Sequence, residues 1–319
     1  ARLGRETPGR VLNSIFFGGG TPSLMAPASL GRVVDAIAQH TSLARDAEIT
    51  LEAGEGKATL RSANSRFVLS TLEAQEFPSL DTEATAHAFS APQGKLKALI
   101  DRTQFAMAAQ DVRYYLNGLC IHLLPAAVRS VATDGHRLAM SEAAIPTGLD
   151  KDRQIIVPRK AVQELSKLLE NTDMPVTLHV GEGQLVVDLD VIRLVTKLID
   201  GRFPDYQRVV PEGGDKKVLA NRERVRNALG RAAILANEKF RGVRLVLEDG
   251  RLRLQTNNPE HEEAEEDIEV DYSGGPLEIG FNVSYLLDAL SAMSGEQFEM
   301  DLKSADASGL IFDPASPES

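Results

Sequence analysis

Two stretches of the chain are copies of one another at a fixed spacing. Residues 54–80 read GEGKATLRSANSRFVLSTLEAQEFPSL, and residues 181–206 read GEGQLVVDLDVIRLVTKLIDGRFPDY. Gly54-Glu55-Gly56 aligns with Gly181-Glu182-Gly183, and Phe77-Pro78 with Phe203-Pro204, at offsets of 127 and 126 residues. A fixed period means that one structural unit is built more than once, with the copies covering each other's apolar faces. A shorter period divides it. Apolar residues at helical spacing predict four amphipathic helices: Ala91-Pro92 to Met107, Pro158 to Leu169, Ala220 to Leu235 and Asn282 to Met293. Their apolar positions are Leu96, Leu99 and Ile100; Val162, Leu165, Leu168 and Leu169; Val225, Leu229 and Ala232; and Leu286, Leu287 and Leu290. Pro92 and Pro158 suit a first helical turn.

Between the helices lie strand signals. Val176–Val180, Gly181-Glu182-Gly183 and Gln184–Asp188 predict one hairpin. Arg244–Glu248 and Arg251–Gln255 predict another, with Asp249-Gly250 suiting a type I′ turn. The fold class that follows is α+β: repeated units of one helix and about four antiparallel strands, two units to a domain.

The 319 residues, 43% hydrophobic and 25% charged, leave room for two to three domains. No run reaches the ~18 apolar residues of a membrane span, and the opening ARLGRETPGR lacks the apolar core of a secretory leader. A lone cysteine, Cys120, excludes an internal disulfide framework. Flanked by Leu119 and Ile121, it reads as a buried thiol in a protein of a reducing, cytoplasmic compartment. The net charge of −11 argues by itself against a nucleic-acid binder. Its distribution argues otherwise. Acid collects at Glu260–Asp267, while base collects on three predicted helices: Lys95, Lys97 and Arg102; Arg159, Lys160 and Lys167; Arg222, Arg224, Arg226 and Arg231. Recurrence on equivalent helices suggests one basic surface.

Seven runs carry a specific resemblance: TQFAMAAQDVRYYLNG (103–118), VATDGHRLA (131–139), IVPRK (156–160), DGRFPDY (200–206), RAAILANEKFRGVRL (231–245), NNPEHEEAEE (257–266) and IGFNVSYLLDAL (279–290). From about residue 54 to 319 the chain resembles the bacterial sliding clamps, the beta subunits of DNA polymerase III. The resemblance implies a non-enzymatic processivity factor: a head-to-tail homodimeric ring around duplex DNA, helices inside and sheets outside, with no cofactor. It implies nonspecific DNA contacts at Gln110, Arg113, Tyr114, Lys160 and Arg202. It implies a groove for short linear peptides of the polymerase III alpha subunit, the clamp loader and other partners, at Leu116, Thr133, Gly135, His136, Arg137, Leu138, Pro204, Arg208 and Val209. It implies a ring interface of Arg66, Phe67 and Leu69 against Ile234 and Leu235, with Arg66 near the acidic run.

Residues 10–53 resemble a different family. SIFFGGGTPSL (14–24) and DAEITLEA (46–53) are similar to coproporphyrinogen-oxidase-like radical SAM proteins. The expected domains are therefore 1–53, radical-SAM-like; 54–83, a remnant of a first clamp domain; 84–210, the middle domain; and 211–319, a third domain lacking its C-terminal tail, which would weaken peptide binding. The helix predicted over Pro27–His40 falls on the repeat period, and strand Glu48–Glu52 leads toward Gly54-Glu55-Gly56, so the segment is expected to stand in for a clamp unit's helix and first strand.

Catalysis finds little support in the residues. Radical SAM chemistry needs three clustered cysteines for an iron–sulfur cluster, and the chain has one. Asp134-Gly135-His136-Arg137 reads as a turn between strands. The histidines at 40, 87, 122, 136, 179 and 261 show no ligand spacing, and the acidic run lacks the pattern of a calcium loop. The readings left are a ring-forming clamp, a remnant of a radical SAM enzyme using the Gly18–Pro22 turn, and a truncated clamp that only binds peptides.

Overall fold

The computed structural model describes residues 11–17, 27–40, 42–51, 57–62, 65–70, 87–211 and 213–315. Gly54-Glu55-Gly56, Phe77-Pro78 and the Gly18–Pro22 turn lie outside the described residues. The chain divides into two compact units, Ala1–Asp81 and Thr82–Ser319.

In the first unit, strand β1 (Val11–Phe17), helix α1 (Pro27–His40) and strand β2 (Ser42–Leu51) follow in order. β1 and β2 pair in parallel, so α1 is the crossover that parallel neighbours require. β3 (Lys57–Ser62) and β4 (Ser65–Ser70) form a separate antiparallel hairpin. This corrects the expectation that the segment before residue 54 stands in for a clamp unit's helix and first strand. β2 pairs with β1 from its own segment and does not extend the β3–β4 hairpin.

In the second unit a strand runs directly into a helix four times. The pairs are β5 (His87–Pro92) with α2 (Gln93–Asp101), β9 (Arg153–Pro158) with α3 (Arg159–Leu168), β13 (Lys216–Asn221) with α4 (Arg222–Ala232), and β17 (Leu277–Asn282) with α5 (Val283–Ala292). Helices begin at 93, 159, 222 and 283, keeping the period read from sequence. The strands between are β6 (Gly118–Leu123), β7 (Val128–Thr133) and β8 (Leu138–Ala143); β10 (Pro175–Val180), β11 (Gln184–Leu189) and β12 (Ile192–Lys197); β14 (Gly242–Glu248), β15 (Arg251–Asn257) and β16 (Glu263–Glu269); and β18 (Gln297–Leu302) and β19 (Leu310–Phe312). All their pairings are antiparallel, in sheets ordered β12-β11-β10-β5, β8-β7-β6-β9, β16-β15-β14-β17 and β13-β18-β19.

The pairing interlocks neighbouring units. β5 precedes α2 yet pairs with β10, which follows α3, while β9 precedes α3 and pairs with β6, which follows α2. One unit alone therefore leaves a sheet edge open, which explains why two are needed for a domain-sized body. α2 and α3 lie side by side: Ser166 Oγ donates to Asp101 Oδ1 (2.6 Å) and Lys97 Nζ to the Ser166 carbonyl (2.8 Å). Leu96, Leu99, Ile100, Val162 and Leu165 share one core with β6, β10 and β11. A separate core joins Val225, Leu229, Leu286 and Leu290 to Leu245, Leu254, Ile279 and Phe298.

Several local expectations change. The first helix ends at Asp101, not Met107, because Thr103 Oγ1 donates to the Leu99 carbonyl (2.7 Å) and the chain tightens into a 3₁₀ turn at Gln104–Ala106. Pro92 and Pro158 sit one position earlier than the first turn, as extended N-caps with ψ of 133° and 143°. Their counterparts Asn221 and Asn282 cap by accepting from the Arg224 and Ser284 amides at 3.0 and 2.9 Å. At Asp249-Gly250 only the glycine takes a positive φ, of 69°, so the turn is not type I′.

Candidate functional site

β6 is buried along its whole length because its sheet is covered on both faces. Leu119, Ile121 and Leu123 face the helices, whereas Cys120 faces a second apolar cluster with Val131, Ile156, Leu116, Phe203 and Tyr206. Cys120 is thus the buried thiol expected, and desolvation pushes its pKa to about 12. The segment from Ile199 to Val209 closes this outer face. The Ile199 amide donates to the Ile156 carbonyl (2.9 Å), and Tyr206 is clamped by His122 (Oη to Nδ1, 2.7 Å) and Arg129 (Nη1 to Oη, 3.1 Å). Burial pushes the Tyr206 phenol up, and the bond from Arg129 pulls the other way. Arg129 in turn holds Glu142 at 2.7 Å and His122 holds Asp152 at 3.0 Å.

Above this cluster two elements converge. One is the β7–β8 turn, closed by the Thr133–Leu138 pair. Asp134 Oδ1 accepts from the His136 and Arg137 amides at 2.9 and 3.1 Å, and Thr133 Oγ1 donates to the Arg137 carbonyl at 2.6 Å. Gly135 is required there: its φ is +90°, and a Cβ would lie 2.8 Å from an Arg113 guanidinium nitrogen. The other element is Phe203–Val209. Phe203 and Tyr206 point into the cluster, while Pro204, Arg208 and Val209 are exposed, the last at 63%. Leu138 is half-buried against the cluster, and Leu116, at 2% exposure, lies within it as a core residue. Arg208 pairs with Asp205 at 2.8 Å. Of the nine residues expected for a groove, eight lie on these two elements, and Leu116 is buried in the cluster beneath them.

Arg137 is not a free rim charge. Its Nε donates to Asp134 (3.1 Å), its Nη2 to the Phe105 carbonyl (2.8 Å) and its Nη1 to Asp288 on α5 (2.6 Å). Tyr285 and Asp288 escaped the sequence reading. A charge in an otherwise apolar helix run, LLDAL, was the available signal.

The candidate DNA residues also gather. Arg113 and Tyr114 stand beside Gln110 on the loop before β6. Gly201 lies against the Tyr114 ring, so Arg202 is adjacent. Arg159 donates to the Met107 carbonyl (2.7 Å) and brings the α3 N-terminus, with Lys160, to the same loop. Gln110, Tyr114, Lys160 and Arg202 are exposed. Arg113 is bidentate to Asp111 at 2.9 and 2.7 Å, and this ion pair holds the Asp111 carboxyl down at about 2.

The basic surface inferred from charge counting is smaller than expected. Lys97 pairs with Asp101, Lys167 with Glu164, Arg222 and Arg226 with Glu223, and Arg231 with Glu266. Lys95 is bound to the Ala144 carbonyl. Of the ten basic residues counted on helices, Arg102, Lys160 and Arg224 keep side chains without such a partner among the described residues.

Of the expected interface residues, Ile234 is 78% exposed after α4 and Leu235 is half-buried. Exposed Phe240, capped by Lys239, was missed. Arg66, Phe67 and Leu69 lie on β4 in the first unit, with Leu69 exposed. The acidic run enters β16, an edge strand whose alternate residues face solvent. Among the described residues, no group of three or more His, Cys, Asp and Glu is placed to hold a metal ion, and no helix is long and apolar enough to cross a membrane.

Comparison with known proteins bears on the family and the fold. The family description "DNA polymerase III beta subunit, central domain" matches residues 90–205, and "DNA polymerase III beta subunit, C-terminal domain" matches 207–319. The beta sliding clamp of Pseudomonas aeruginosa is 48% identical over 281 residues, 87% of this chain and 76% of that protein. That of Escherichia coli K12 is 46% identical over 274 residues, 86% and 75% of the two chains. The crystal structure of the P. aeruginosa DNA polymerase III subunit beta superposes with a TM-score of 0.76, covering 82% of this chain and 72% of that one at 48% identity. A Caulobacter crescentus beta sliding clamp gives 0.75 over 82% and 72%, at 37% identity. Another P. aeruginosa clamp structure, 48% identical with a TM-score of 0.74 over 83% and 72%, holds griselimycin. With two family descriptions covering most of the chain and relatives near half identity, the chain belongs to the beta sliding clamp family, the beta subunits of bacterial DNA polymerase III.

Proposed function

We propose that the cleft between the Asp134–Leu138 turn and the Pro204–Val209 segment is this clamp's peptide groove, and that Gln110, Arg113, Tyr114, Lys160 and Arg202 contact DNA. As a member of its family the chain is a non-enzymatic processivity factor. It works as a homodimeric ring that encircles duplex DNA and tethers the replicative polymerase and other partners through short peptides. The single observation that best supports the groove reading is the apolar cluster of Leu116, Phe203 and Tyr206 under two polar-edged rims. Ile234 and Leu235, with Phe240 added, are our reading of one ring face, opposed by Arg66, Phe67 and Leu69 of a second copy. We read the domains as 54–83, 84–210 and 211–319, the last two supported by separate cores, and the compartment as cytoplasmic. Residues 10–53 we read as radical-SAM-like, supported by the parallel β1–α1–β2 unit.

DNA association is expected to be sequence-independent and to collapse with salt. If Lys160 and Arg202 each displace a counterion, raising salt fourfold lowers affinity by roughly 12-fold per subunit. Fluorescence anisotropy on duplexes of unrelated sequence measures this. Affinity that survives high salt, or that follows base sequence, contradicts the proposed contacts.

A further inference from the structure

We propose that Asp288, on α5 of the C-terminal half, is a positioning residue for the peptide groove: through Arg137 it holds the Asp134–Leu138 rim in place. This deepens the groove reading and rests on it. The Arg137 guanidinium leaves its own hairpin and stacks between two rings, with its centre 5.2 Å from the Phe105 centroid and 4.4 Å from that of Tyr285. Its edge donates to Asp288, Asp134 and the Phe105 carbonyl, and the side chain is only 19% exposed. A planar fork that stacks and bonds along its edge is specific to arginine; a lysine ammonium would keep one of these contacts and lose the rest.

The grip is transmitted because the Arg137 backbone is fixed to the turn. Its amide donates to Asp134 and its carbonyl accepts from Thr133, and the next residue is Leu138, the apolar part of the rim. Asp288 is 151 positions away in sequence and half exposed. It belongs to neither rim nor to the apolar floor. Without it Arg137 keeps Asp134 and Phe105 of its own domain and only the Tyr285 ring on α5, so the directional bond that fixes the rim to that helix is lost. Peptide affinity then depends on how the middle and C-terminal halves sit together.

The test is anisotropy of a fluorescein-labelled C-terminal peptide of the cognate polymerase alpha subunit, titrated with the full chain and its variants. Asp288→Asn is expected to weaken binding about five- to tenfold, with an unchanged melting temperature, and Asp288→Glu to recover most of it. Arg137→Met combined with Asp288→Asn should be no weaker than Arg137→Met alone, since the first substitution already removes the pair. If Leu138→Asp abolishes binding while Asp288→Asn binds as the wild type does, the groove stands and the positioning role is overturned. A loss in Asp288→Asn that Asp288→Glu does not recover, with a lowered melting temperature, also overturns it, as general destabilisation. If Leu138→Asp binds normally, the groove reading itself fails and the inference falls with it.

Discussion

Leu138→Asp is expected to abolish binding of polymerase-derived peptides, lowering affinity by at least ~100-fold, about 3 kcal/mol. Leu138 opens β8 opposite Thr133 and packs its half-buried side chain on the cluster of Leu116, Phe203 and Tyr206. An apolar peptide side chain docking there would desolvate whatever replaces it. A carboxylate in that position loses its water without gaining a donor. It also stands near Asp134, whose oxygens are committed to the turn and to Arg137. Because Leu138 is partly exposed in the free protein, the variant is expected to fold. Leu138→Met, which conserves volume, should stay within a few-fold of wild type. Equal peptide affinity for wild type and Leu138→Asp would show that the groove lies elsewhere.

Phe298→Ala is expected to cost about 3–5 kcal/mol, as truncation of a buried aromatic does. Phe298 is fully buried on β18, opposite Ala220 of β13, at the centre of the C-terminal core. That core shares no residue with the one formed by Phe89 to Leu189. Scanning calorimetry should therefore show the C-terminal transition moving down by about 10–20 °C while a transition of the middle domain remains near its wild-type position. A single transition that shifts as a whole would mean that the two cores unfold as one unit.

What was legible in the sequence was what repeats. Helix phase was carried by Leu96, Leu99 and Ile100, by Val162 and Leu165, and by Val225 and Leu229, all of which are buried as the spacing required. Helix ends were less legible, because they depend on single side-chain bonds such as Thr103 to Leu99. The interlocking of β5 with β10 and of β6 with β9 has no local signal. Pairing partners are set by which sheet edges remain open once the chain is folded. The two-sided burial of β6 was visible as the run GLCIHL, but the run does not say that residues near Phe203 and Tyr206 supply the second cover.

The candidate site residues came from family motifs, whereas counting charge was misleading. Lys and Arg on helices suggested a broad basic surface, yet carboxylates hold five of the ten and backbone carbonyls hold Lys95 and Arg159. Glu223 for Arg226 and Glu266 for Arg231 are examples. Formal charge is a property of composition, whereas available charge is a property of geometry. Arg137 shows the same thing at the groove. Its place in the DGHR turn was readable, but its bond to Asp288, 151 residues away, exists only in the folded chain.

The central claim is that this chain holds DNA by topology rather than by adhesion. The most direct test is to load it with a cognate clamp loader and ATP onto nicked circular plasmid, isolate the complex by gel filtration in high salt, and then cut the plasmid once. The protein is expected to co-elute with the circle and to be released quantitatively on linearisation. Retention on the linear product, or no salt-resistant retention on the circle, would contradict that claim.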